Sequence, residues 1–93
     1  MRDRLIVLIN QIKTSDRTKN KDFEARTGIK KETVRALADG RQKFNEEYIQ
    51  AITDSFPEYK MWFVFGEEHP EIGQVSPELD QTSGDYQGTG TDT

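Results

Sequence analysis

Cationic side chains are concentrated between residues 13 and 43 of this sequence. The stretch holds ten Lys and Arg residues against five Asp and Glu, a local charge of +5 in a chain whose net charge is −4. Ammonium and guanidinium groups at this density attract polyanions, and the planar guanidinium of an Arg can also hold two acceptors at once. The stretch therefore predicts a surface that faces a polyanion, although charge alone does not separate this from an ordinary solvated surface.

The acidity of the chain lies at its C-terminal end. Residues 1–65 hold all 13 cations, whereas residues 66–93 hold seven acidic residues and no Lys or Arg. From residue 73 onward the sequence is poor in branched apolar residues and rich in Gly, Ser, Thr, Gln and acids. Such a composition buries too little surface to offset the entropy cost of ordering. We therefore predict one domain over residues 1–72 and a disordered acidic tail over residues 73–93.

Catalytic and metal-binding chemistry has little support in the sequence. The chain has no cysteine, which excludes a disulfide, a thiol nucleophile and a Cys-based zinc site. Its single histidine, His69, is followed by Pro70 in a polar segment and reads as a loop residue. No phosphate-cradling glycine loop or nucleophile motif is present. The sequence predicts no enzymatic activity, no metal, no cofactor and no small-molecule ligand.

The size and hydropathy of the chain indicate a small soluble protein. Its 93 residues suffice for one domain and are too few for two independent cores. The longest apolar run near the start, residues 5–9, is far shorter than the roughly 20 residues of a membrane span. With no cysteine to oxidise, a reducing cytoplasm is the expected location.

Apolar periodicity predicts a first helix over residues 3–13. Leu5, Ile9 and Ile12 fall at helical spacing, although residues 5–9 alone could form a buried strand. The polar stretch that follows predicts a loop.

Two short helices joined by a glycine come next. Thr18 or Asn20 could cap the second helix through a side-chain oxygen, and Gly28 could end it in the left-handed conformation. A third helix is predicted over residues 31–39, with Gly40 after it.

Two more helices complete the predicted domain. Asn45 is a plausible cap for the fourth, in which Ile49, Ile52 and Phe56 recur at helical spacing. The fifth would start at Pro57 and stop before Gly66. Since no run alternates polar and apolar residues between hairpin turns, the predicted class is all-α with five helices.

The glycine-linked pair has the order of a helix-turn-helix, whose second helix enters the DNA major groove. Three segments carry a wider resemblance: "FEARTGIKKETVRAL" at residues 23–37, "DGRQK" at 39–43 and "WFVFGE" at 62–67. On these, residues 1–66 resemble the lambda-repressor-like, Cro/Xre-type DNA-binding domain. Residues 67–75, "EEHPEIGQV", are also similar to small prophage-type regulators.

The resemblance assigns roles to individual positions. Arg35 would be the principal base contact, with guanine O6 and N7 as partners. The residues expected in the core are Phe23, Ile29, Val34 and Leu37. Those expected to face the bases are Lys30, Lys31, Glu32, Arg35, Ala36 and Asp39. Those expected to contact phosphate are Asn20, Lys21, Arg41, Lys43 and Asn45.

The function implied by the resemblance is that of a transcriptional regulator, specifically a repressor, that reads a double-stranded operator with residues 30–39. It would bind as a homodimer, because one short helix cannot hide all sides of its apolar run. The candidate dimer contacts are Met61, Trp62, Val64 and Phe65. The alternative is a protein-interaction module, antitoxin-like or an anti-regulator, that keeps the fold without reading DNA.

One residue departs from the family pattern. Glu24 stands where the family usually has alanine, at the close crossing of the second and third helices, and alanine follows only at Ala25. Because a carboxylate is costly to bury at a crossing, either the helices are splayed or Glu24 reaches the edge and pairs with a cation.

Overall fold

The computed structural model describes residues 1–79, and this part of the chain is all-helical. Its first two α-helices are α1 (Arg2–Ile12) and α2 (Lys19–Thr27). They are followed by α3 (Lys31–Asp39), α4 (Glu46–Ser55) and α5 (Lys60–Phe65), and residues 77–79 are also helical. Short 3₁₀ turns cover Pro57–Tyr59 and Pro70–Ile72. The prediction of an all-α chain is confirmed, and the strand alternative for residues 5–9 is wrong because that stretch lies within α1.

A single apolar core joins the helices. Short helices are marginal by themselves, so these depend on burying one face against their neighbours. Phe23 of α2 stacks on Phe56 with ring centroids 5.9 Å apart, and Phe56 stacks in turn on Tyr59 at 6.1 Å. The core residues are Leu5, Leu8, Ile9, Phe23, Ile29, Val34, Leu37, Ile52, Phe56, Tyr59 and Phe63. All four core positions expected from the resemblance are among them.

Glycines end both helices of the central pair. Gly28 follows α2 with φ of 82°, and Gly40 follows α3 with φ of 83°, a left-handed conformation that only glycine adopts without strain. Gly28 turns the chain so that Ile29 packs into the core, where it is 6% exposed. The turn at Gly28 is as the sequence predicts.

The side-chain cap predicted for α4 is present, whereas neither residue predicted to cap α2 does so. Asn45 caps α4, its Oδ1 accepting the backbone N–H of Tyr48 at 2.8 Å. Thr18 occupies the position before α2, but its hydroxyl donates to the Asp22 carboxylate at 3.0 Å instead of accepting a backbone N–H. Asn20 lies inside α2 and does not cap it.

Two arginines of α1 hold the ends of other helices. Arg2 Nε donates to the Ala38 carbonyl of α3 at 2.6 Å, and Arg4 Nε donates to the Phe63 carbonyl of α5 at 2.9 Å. Positive charge at a helix C-terminus is stabilising because the terminal carbonyls carry partial negative charge. The N-terminal helix therefore positions the end of α3.

The chain after residue 72 differs from the predicted disordered tail. Gln74 bridges two backbone groups: its Oε1 accepts the N–H of Met61 and its Nε2 donates to the carbonyl of Pro57, both at 2.9 Å. Composition misses this contact because an amide side chain, and no branched apolar residue, makes it. The remainder of the predicted tail, residues 80–93, lies outside the described part of the chain.

Further contacts extend this ordered segment. The N–H of Val75 donates to the carbonyl of Glu58 at 2.9 Å. Ser76 is buried, and its hydroxyl donates to the Glu68 carboxylate at 2.6 Å. The packed unit therefore continues beyond the predicted boundary at residue 72.

Candidate nucleic-acid interface

Helix α3 presents an apolar face inward and a charged face outward. Val34 and Leu37 are fully buried, whereas Lys31, Glu32 and Arg35 are exposed. The two sets separate because residues three and four apart share a face of an α-helix. The other residues predicted to face the bases divide between exposed Lys30 and Asp39 and half-buried Ala36.

A cleft of about 250 Å³ runs between the start of α2 and the exposed face of α3. Its lining joins two predicted phosphate contacts with three predicted base contacts, and it adds two residues from the chain before α2. The lining residues are Arg17, Thr18, Asn20, Lys21, Lys31, Glu32 and Arg35. We call this surface the cationic cleft.

Arg17 is the residue of the cationic cleft that the sequence did not single out. It also lines an adjoining hollow of about 410 Å³, together with Asn20, Arg35 and Asp39. Arg17 lies in a polar loop, where nothing in a linear pattern shows which way a side chain faces. The only available signal was its membership in the basic stretch of residues 13–43.

Lys30 lies apart from the cationic cleft. It lines a separate hollow of about 560 Å³ between the turn at Gly28 and α4, whose lining includes Glu47 and Tyr48. The acidic neighbour makes this side of the turn less cationic. The structure therefore separates Lys30 from Lys31 although they are adjacent in sequence.

The carboxylate of Asp39 pairs with two residues that are themselves predicted DNA contacts, Arg35 and Arg41. Its Oδ2 lies 3.2 Å from Arg41 Nη2 and 3.7 Å from Arg35 Nε. All three side chains are largely exposed, with fractions of 47% for Asp39, 64% for Arg41 and 72% for Arg35. Exposed ion pairs are weak, about 0–1 kcal/mol, so these arginines are restrained but not locked.

The remaining predicted phosphate contacts lie between α3 and α4. Lys43 is exposed, and Asn45 is exposed but uses its side-chain oxygen to cap α4. Glu46 and Glu47 occupy the first turn of α4, where acidic side chains already complement the partial positive charge of the helix start.

Glu24 adopts the edge position, with a partner that the sequence did not predict. Its Oε1 accepts the backbone N–H of Lys31, the first residue of α3, at 3.2 Å. The expectation of a pairing with a cationic side chain is therefore corrected. A carboxylate is stabilised at this place because the first N–H groups of a helix lack partners within the helix.

A carboxylate also holds the loop that precedes α2. Asp22 Oδ2 accepts the backbone N–H of Thr14 at 2.7 Å, and the hydroxyls of Thr14 and Thr18 at 2.9 Å and 3.0 Å. The backbone N–H of Thr14, together with the two hydroxyls, lowers the pKa of Asp22 below its ordinary value. Arg17 lies between Thr14 and Thr18 in sequence, so this network orders the loop that carries it.

The candidate dimer contacts differ in exposure. Phe65 is 63% exposed, whereas Met61, Trp62 and Val64 are half-buried, and Trp62 and Val64 pack against the core. Ile72 adds a second exposed apolar side chain at 69%. Of the predicted set, Phe65 has the most surface free for a partner.

Comparison with protein-family models, curated proteins and solved structures finds no match to this chain. Among the helices of residues 1–79, none is long and apolar enough to cross a membrane. The same residues contain no group of three or more His, Cys, Asp or Glu side chains that could hold a metal ion. The most pronounced chemical feature of the described surface is the cationic cleft.

Proposed function

We propose that this protein is a sequence-specific DNA-binding transcriptional regulator, a repressor, that inserts the exposed face of α3 into the major groove. The resemblance to lambda-repressor-like domains and the amphipathic character of α3 support the proposal. In this arrangement the start of α2 approaches the phosphate backbone, while side chains of α3 reach the base edges.

The proposal depends on three cations of the cationic cleft that form no ion pair within residues 1–79. Arg17, Lys21 and Lys31 come from three successive pieces of chain and face one concave surface. Within residues 1–79, no carboxylate oxygen lies within 4.0 Å of their charged groups. Cations gathered on one surface and not held in internal ion pairs attract the closely spaced phosphates of a duplex.

The direct test measures binding to a random-sequence duplex by fluorescence anisotropy over a range of salt concentrations. A DNA reader should bind with a Kd of about micromolar or tighter at low salt and weaken steeply as salt rises, because bound phosphates release counterions. Lys31→Ala should lower the salt slope by about one unit.

Lys60→Ala is the matched control for this test. It removes the same charge from α5, which does not line the cationic cleft. Equal losses for the two variants would show attraction by net charge alone. Absence of salt-dependent binding by the unaltered chain would contradict the proposal and favour the protein-interaction module.

Base reading by Arg35 is tested on the duplex that the unaltered protein enriches from a random pool. Arg35→Ala should lose about 1–3 kcal/mol on that duplex and relax preference at one position. Lys43→Ala should weaken all sequences equally, as expected of a phosphate contact. Equal losses for Arg35→Ala on enriched and random DNA would make Arg35 a phosphate contact as well.

Dimerisation on DNA is part of the proposal, and exposed Phe65 supports it. Two copies on one operator should protect half-sites centred about 34–36 Å apart, which is one helical turn. Phe65→Ser should reduce occupancy by two copies while leaving the fold intact. A footprint from one protein copy would remove this element of the proposal.

A further inference from the structure

The end of α3 brings three charged residues together in a way that bears on how DNA would be bound. Arg35 and Arg41 lie on opposite sides of Asp39 in sequence, four and two residues away. Their guanidinium groups nevertheless meet at the same carboxylate oxygen, Asp39 Oδ2, at 3.7 Å and 3.2 Å. The turn at Gly40 allows this by folding Arg41 back towards α3.

Electrostatics alone does not require an acid at this position. A negative side chain in the last turn of a helix lies beside carbonyls that carry partial negative charge, which is unfavourable. Arg2 partly offsets that field by donating to the Ala38 carbonyl at 2.6 Å. The one clear set of favourable contacts of Asp39 is therefore its pairing with Arg35 and Arg41.

We infer that Asp39 is a positioning residue that restrains Arg35 and Arg41 and thereby weakens binding to DNA of arbitrary sequence. The inference rests on the proposed function and concerns the selectivity of the same surface. While paired, the two guanidinium groups are partly neutralised and drawn towards the end of α3. A phosphate must compete with Asp39 for both, and the carboxylate itself repels the duplex.

The weakness of the pairs is what makes the restraint selective. Exposed ion pairs contribute little free energy, so a correctly placed guanine can displace Asp39 and gain two parallel hydrogen bonds from Arg35. On DNA of arbitrary sequence both arginines must leave Asp39 to reach phosphates, whereas on the correct sequence only the Arg35 pair has to open. The cost of opening the pairs is therefore larger on random DNA, and removing Asp39 should reduce the preference for the correct sequence.

The test is the affinity of the full chain for a random-sequence duplex as a function of salt, with Asp39→Asn as the variant. Asp39→Asn should bind about three- to ten-fold more tightly at low salt, because two arginines are released and one negative charge is removed. Its salt slope should steepen by about one to two units as the released arginines engage phosphates.

Asp54→Asn is the matched control, since Asp54 is likewise an exposed aspartate in the last turn of its helix, α4, and has no ion pair among residues 1–79. It removes the same charge outside the cationic cleft and should leave the slope unchanged. Asp39→Glu retains the carboxylate and should restore the affinity of the unaltered chain. Thermal melting by circular dichroism checks that every variant is folded.

A second measurement compares random DNA with the duplex enriched by the unaltered protein. The ratio of the two affinities should fall for Asp39→Asn and stay constant for Asp54→Asn. Equal behaviour of these two variants, or weaker binding by Asp39→Asn, would overturn the inference. Failure of the unaltered chain to bind any duplex would instead overturn the proposed function, so the two failures are distinguishable.

Discussion

The α2–α3 pair and the segment from α5 to residue 79 are ordered by different interactions. In the pair, Phe23, Val34 and Leu37 are fully buried and the charged residues face outward. In the C-terminal segment, apolar side chains are among the most exposed, with Phe65 at 63% and Ile72 at 69%. Packing of Phe63 and Val75 on the core attaches it to the rest of the chain, and the amide of Gln74 adds hydrogen bonds to the backbone of Met61 and Pro57.

This contrast shows that an apolar residue has a different meaning in the two regions. In α2 and α3 it marks the side that packs, because each helix buries one apolar stripe against its neighbours. In α5 apolar residues occupy every side of a six-residue helix, so some remain at the surface. The first region exposes charged side chains, and the second exposes the apolar side chains of Phe65 and Ile72.

The largest expected effect is the difference in stability lost when a buried ring of α2 and an exposed ring of α5 are removed. Phe23→Ala should lose about 3–5 kcal/mol of stability, because it leaves a cavity beneath α2 and removes the stacking on Phe56. That is a large part of the roughly 5–15 kcal/mol that holds a small domain together. Phe65→Ala removes an exposed ring and should change stability by less than about 0.5 kcal/mol.

Urea denaturation followed by circular dichroism measures both free energies of unfolding. Similar losses in the two variants would show that Phe65 is also part of the packed unit, which would end the contrast between the regions.

A smaller effect tests whether the C-terminal segment depends on Gln74. Gln74→Ala should cost about 1–3 kcal/mol, because the N–H of Met61 loses its acceptor and the carbonyl of Pro57 loses a donor. Gln50→Ala is the matched control, as its amide reaches only the exposed carboxylate of Asp54 at 3.3 Å.

The readout is hydrogen exchange of amides in residues 57–79 together with thermal melting. Unchanged exchange after Gln74→Ala would mean that other contacts hold the segment and that the Gln74 amide is not required for its order.

The smallest expected effect is a pH dependence of stability that comes from Asp22. It distinguishes the charged contact before α2 from the neutral amide contact of Gln74. The lowered pKa of Asp22, caused first by the backbone N–H of Thr14, means that the folded state favours the ionised carboxylate. Its stabilisation is therefore complete above the unfolded-state pKa of about 3.9 and is lost as pH falls through the lower folded-state pKa. Asp22→Asn should flatten the loss of stability below about pH 4.

Thr14→Ala keeps the backbone N–H and removes only the hydroxyl, so it should flatten the acid slope less than Asp22→Asn does. Melting temperatures recorded from pH 2 to pH 7 measure these slopes. Parallel curves for the unaltered chain and Asp22→Asn would refute the role of Asp22. The bridge made by Gln74 is neutral and should contribute no such slope.

Local physical rules were sufficient for much of the fold. The periodicity of Leu5, Ile9 and Ile12 gave the first helix, and the glycines at positions 28 and 40 gave two helix ends, because conformational preference and amphipathicity act over a few residues. The buried positions of α2 and α3 were also predictable. Local rules failed at residue 73, where order depends on an amide meeting backbone groups of a distant turn.

The candidate site was only partly predictable for the same reason. Composition located the basic stretch, and the pattern of α3 separated its charged face from Val34 and Leu37. Composition could not show that Arg17 joins Lys31 across the cationic cleft, since the direction of a loop side chain is set by the packing of α2 on its neighbours.

By itself, then, the sequence determined the helical class, the basic stretch and the glycine turn, all of which follow from short-range spacing and charge. Only the tertiary structure decided the contacts at the two ends of α3. Glu24 accepts a hydrogen bond from its first residue, Arg2 donates to a carbonyl of its last turn, and Asp39 pairs with two arginines. Each of these contacts depends on where a turn or a neighbouring helix places a polar group. Linear spacing does not contain that information.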